Sequence, residues 1–101
     1  MARELQLFAD FEVDDIDDPE IREVLDDLER RLDRSHGPVR LVTEGRWIHL
    51  GAGYADNNPG YTVWLFQAVS RLVKHTRAPS VDCRICDDTG DWWSEPVYPA
   101  A

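Results

Sequence analysis

The chain is poor in cysteine, in basic residues and in long apolar runs, and each shortage removes a class of function. Two cysteines are too few for the disulfide framework of a small secreted domain. Eleven Lys and Arg stand against twenty Asp and Glu, a formal net charge of −9. That is the wrong sign for gripping a nucleic-acid backbone, where affinity comes from basic residues displacing counterions, so no direct nucleic-acid binding is expected. No apolar run approaches the roughly 18 residues that a membrane-spanning helix needs. The first fifteen residues hold Arg3, Glu4, Asp10, Glu12, Asp14 and Asp15, so no apolar signal-peptide core is expected there and a cytoplasmic location is. Neither a nucleophile elbow nor a His-Glu-x-x-His zinc motif occurs. The expectation is a non-enzymatic protein without cofactor or metal.

What is present reads as one compact domain. The 101 residues are 43% hydrophobic and 31% charged, a globular balance that allows a single core over 1–101 and no second one. The charge falls in blocks. Residues 1–34 carry thirteen acids and five bases, residues 35–80 two acids and five bases, and residues 81–101 five acids and one base. The ends are acidic and the middle mildly basic, which bears on partners and association rates rather than on fold.

Residues 5–13 alternate, with Leu5, Leu7, Ala9, Phe11 and Val13 on one side, the period of a half-buried strand. Asp18-Pro19 and Asn58-Pro59 each pair an N-capping residue with Pro at the first helical position. After the first, Ile21, Val24, Leu25, Leu28 and Leu32 recur at helical spacing, and after the second Tyr61, Leu65, Ala68, Val69, Leu72 and Val73 do the same. The first helix is expected to run to Ser35-His36, where Gly37-Pro38 stops it. Two short strands flank a turn at Glu44-Gly45, residues 51–60 read as a loop, and residues 81–86 alternate as a fourth strand. Residues 86–101 then form an aromatic C-terminal tail that must pack back on the domain. The order β-α-β-β-α-β predicts an α+β, ferredoxin-like plait: a four-stranded antiparallel sheet in spatial order 4-1-3-2 with both helices on one face.

Several motifs invite chemistry. Cys83-Arg84-Ile85-Cys86 has redox or zinc spacing, but it lies on a strand, where residues three apart face opposite ways. One buried and one outward thiol are therefore expected. Gly51-Ala52-Gly53 precedes a helix, but Asp56 stands where a dinucleotide loop needs its third glycine. His36 and His75 fall near helix ends, where the dipole favours them, and His49 on a strand is the remaining candidate acid or base.

Two surfaces carry more. The outward sheet face collects Phe8, Val42 and Trp47, too apolar to stand bare; either the Trp92-Trp93 tail folds across it or another chain covers it. The acid run from Asp10 to Glu29 is supported on the helix by the i,i+4 pairs Asp18–Arg22, Asp26–Arg30 and Asp27–Arg31. Asp14, Asp15 and Asp17 precede the helix and gain nothing from those pairs. The expected function is an acidic binding protein that docks on a basic protein, such as a nuclease, a toxin or a nucleic-acid-guided effector. Immunity proteins and phage anti-defence (anti-CRISPR) inhibitors are of this physical type. Asp10, Glu12, Asp14, Asp15, Asp17 and Asp18 would supply charge, and Trp47, Trp92, Trp93 and Tyr98 the desolvated anchors. The alternative is a ferredoxin-like homodimer, joined through the outer sheet face, that binds or converts a small molecule with His49 as acid or base.

Overall fold

The computed structural model describes residues 2–101. It contains β1 (Glu4–Glu12), α1 (Pro19–Arg31), β2 (Arg40–Glu44), β3 (Trp47–Ala55), α2 (Pro59–Val73), β4 (Val81–Asp87) and β5 (Trp92–Val97). Both helices start at the expected caps. The Asp18 side chain accepts from the Glu20 N–H at 2.9 Å, and the Asn58 side chain accepts from the Tyr61 N–H at 3.3 Å. The first helix is shorter than its sequence suggests. Leu32 is already extended, and the chain then makes a separate 3-10 turn over Arg34–His36, capped by the Asp33 carboxylate on the Ser35 N–H at 2.9 Å. A capping acid directly after the last buried Leu ends the α-helix before Gly37 is reached.

The sheet is antiparallel and open, in the order β2-β3-β1-β4-β5. Its first four strands stand as expected, but there are five strands, not four. The segment read as a packing tail supplies the fifth, with Val81 to Cys86 paired to Val97 to Trp92. The reason lies in the Asp87 side chain, whose Oδ1 accepts from the Thr89 N–H, the Thr89 hydroxyl and the Asp91 N–H at 3.0, 2.7 and 3.0 Å. Those bonds, the Thr89 hydroxyl foremost, hold the Asp87 carboxyl below its ordinary range and fold the chain straight back on β4.

Both helices pack on the face that carries Leu7, Phe11, Ile48 and Ile85, and join one core with Leu28, Leu65 and Leu72. Leu41, the inward position of β2 by alternation, is only half-buried, because β2 is an edge strand whose other four residues are all exposed. The turn before β3 is Gly45-Arg46, and Gly45 takes φ +59°, a conformation that calls for glycine in a two-residue hairpin. Strand β3 then continues through residues 51–55, which read as loop. Glycine weakens a strand signal, yet here its missing side chain admits another backbone. A Cβ on Gly53 would lie 2.0 Å from the His36 carbonyl oxygen, since the 3-10 turn crosses the outer face there.

Candidate functional site

Trp47 opens β3 beside the tight turn, so its side chain stands at the corner of the outer sheet face and stays 43% exposed. The indole lies parallel to the His49 ring, centroids 6.2 Å apart and planes within 3°. His49 in turn meets Asp10 across the β1–β3 ladder, Nδ1 to Oδ1 at 2.6 Å. Glu12 pairs directly with Trp47 in the same register. A cleft of about 300 Å³ runs past Asp10, Glu12 and Trp47 to Asp14, with Arg46 and Arg77 among its walls. Two loose cations hold its acids. Arg46 lies 3.7 Å from Glu12, and the Arg77 Nε donates to Asp14 at 2.8 Å from a side chain that is 86% exposed.

Asp10, Glu12, Asp14 and Trp47 are thus brought together; the other anticipated site residues are not. Asp15 accepts from the Asp17 N–H at 3.0 Å, Asp17 accepts from Arg22 at 2.7 Å, and Asp18 caps α1. The turn acids therefore shape the entry to the helix. Of the helix pairs expected, Asp27–Arg31 forms at 3.7 Å. Arg22 instead takes Asp17, and Arg30 takes Asp27 at 3.5 Å and the Asp26 carbonyl at 3.3 Å.

The aromatic residues also separate. Trp92 is outward on β5 and stacks on Phe8 at 5.7 Å, three strands away from Trp47. Trp93 points to the other face and packs against the core. Tyr98 is exposed on the helix side, where its carbonyl accepts from the Ser70 hydroxyl at 2.6 Å. The tail therefore shelters Phe8 through one side chain and leaves Val42 and Trp47 exposed.

The cysteines divide as expected. Cys83 is buried, and burial first, then the charges of Asp82 and Glu95, pushes its thiol up to about 12. Cys86 lies on the opposite face beside Trp92, and both are free thiols. His36 and His75 each meet a carboxylate, Glu4 at 3.2 Å and Glu20 at 2.6 Å. Among the described residues no three His, Cys, Asp or Glu converge as metal ligands. Glu44 also belongs to the Trp47 corner: it reads as a turn residue in the sequence, but it pairs with Trp47 from the β2 side. Its signal was the alternation Arg40, Val42, Glu44. No protein-family model matches the chain, and no curated protein or solved structure matches it.

Proposed function

We propose that this chain is a small binding protein that docks its Trp47 corner on a basic protein surface. The observation that carries the reading is a half-exposed indole standing in an open cleft beside the carboxylates of Asp10, Glu12 and Asp14. A partner's arginine laid on that ring gains a cation–π contact of about 0.5–1 kcal/mol when exposed and about 2 when desolvated. Its guanidinium then reaches the carboxylates for charge-assisted hydrogen bonds. Arg46 and Arg77 hold Glu12 and Asp14 only through exposed pairs, which are weak and exchangeable, while Asp10 is held by His49 at 2.6 Å with Arg84 at 3.9 Å. The net charge of −9 speeds the encounter with any basic surface. A nuclease, a toxin or a nucleic-acid-guided effector fits as the partner, with inhibition as the outcome. The strand order and the two helices on one face support a ferredoxin-like plait extended by β5. A cytoplasmic location goes with two free thiols.

The test is a parallel capture from the native host with wild type and Trp47→Ala, identified by mass spectrometry and repeated with the purified partner. A basic protein should be retained by wild type and released by the variant, and its affinity should fall as salt rises. Equal retention by both, or salt-independent affinity, would overturn the reading. The His49–Asp10 pair favours a second reading, a small-molecule site beside Trp47. It requires a ligand whose binding is lost in His49→Ala.

A further inference from the structure

The two edges of the sheet differ. Strand β5 carries Pro96, the residue that blocks further pairing at an edge. Strand β2, Arg40-Leu41-Val42-Thr43-Glu44, has no proline, no glycine and no bulge, and four of its five residues are exposed. No helix closes over it; a cleft of about 260 Å³ lies open between the end of α1 and this strand. The backbone groups it offers follow from the ladder. Arg46 gives its carbonyl to Val13 of the β1 side at 2.9 Å, so Trp47 turns to β2 and pairs with Glu44. By the two-residue period Glu44, Val42 and Arg40 face β3, and Leu41 and Thr43 present their N–H and C=O groups to the open edge.

We infer that β2 is a self-complementary edge through which two copies of this chain join into one continuous antiparallel sheet. A two-fold axis at Val42 sets Leu41 opposite Thr43 of the second copy, and the outward backbone groups of those residues are the ones that hydrogen-bond. Val42, 41% exposed, meets its own copy at the axis as a close non-hydrogen-bonded pair. The same register sets Arg40 opposite Glu44 and Glu44 opposite Arg40. Among the described residues neither side chain has an ion-pair partner within the chain, so the second copy supplies the charge each lacks. The operation is isologous and closes at two subunits. It leaves Trp92 at the far edge of each sheet and involves no partner protein.

Sedimentation equilibrium on the full chain, from about 10 µM to about 1 mM as so short an interface requires, reads this directly. The apparent mass should climb from 11.6 kDa toward twice that value. Arg40→Glu and Glu44→Arg, each alone, set like charges across the axis and should hold the protein at the monomer mass. The double variant Arg40→Glu/Glu44→Arg should dimerise again, and an equimolar mixture of the two single variants should form a mixed dimer. Thr43→Pro removes an outward N–H without touching the bonds to β3 and should also give monomer, with far-UV circular dichroism unchanged. A wild type that stays at 11.6 kDa throughout, or single variants that dimerise like wild type, would overturn the inference.

Discussion

Glu20 shows how much one carboxylate does in this molecule. It sits in the first turn of α1 and reaches the end of α2, with Lys74 Nζ at 2.7 Å and His75 Nε2 at 2.6 Å. The Lys74 bond foremost, then the His75 bond, lowers its pKa from 4.5 to about 2. A carboxyl with a lowered folded-state pKa stabilises the fold above its unfolded value, and that stabilisation is lost as pH falls toward the folded value. The melting temperature of Glu20→Gln should therefore lie below wild type at pH 6, and the gap should close between pH 4.5 and about 2. Thermal melts of both proteins across that range check it, and added salt should narrow the gap because the bridge is only half-buried. At the cysteines, the folded protein should present one reactive thiol. Cys86→Ala should show none to a thiol reagent until denaturant is added, since Cys83 is buried with its pKa pushed up to about 12.

Among the elements, the crossing of the 3-10 turn over β3 is the most exacting contact. Gly53 lies against the backbone of His36, with a Cβ position 2.0 Å from the carbonyl oxygen and 2.7 Å from its carbon. Gly53→Ala must displace that turn and the His36–Glu4 contact with it. The expected cost is about 1–3 kcal/mol, the range for forcing extra volume into a packed site, and urea unfolding measures it. Strand β5 depends on a different device, the Asp87 loop, whose three accepted hydrogen bonds fold the chain back on β4, where strand alternation sends Trp92 and Trp93 to opposite faces.

For the whole molecule the balance of charge matters more than any one pair. Changing Asp14, Asp15 and Asp17 together to Asn removes the exposed pairs to Arg77 and Arg22 but also relieves repulsion in a chain of net charge −9. Exposed pairs are worth about 0–1 kcal/mol each, so the two effects nearly cancel. The triple variant should melt within a few degrees of wild type while binding a basic partner more slowly. Stopped-flow association of wild type and variant separates this from a purely structural role, which would leave the rate unchanged.

The sequence by itself determined the elements and the buried stripes, because these depend on local period and on capping residues. Alternation placed Leu5 to Phe11 on one face, and Asp18-Pro19 and Asn58-Pro59 start both helices where they were expected. The acidic balance and the division of Cys83 from Cys86 were equally legible. What only the tertiary structure decided was whatever depends on a residue distant in the chain. Gly51 to Ala55 reads as loop because glycine lacks a side chain to pack, and becomes strand because the His36 backbone fills the space. Trp92 to Val97 reads as an aromatic tail packing back on the domain, and becomes an edge strand because Asp87 folds it onto β4. Trp47 is 35 positions from Glu12 and further still from Asp10 in the chain, and it meets them only through the β1–β3 register. That register is set by the burial of Leu7 and Phe11 against Ala52 and Ile48, since a slip of one residue would turn every core side chain to the solvent.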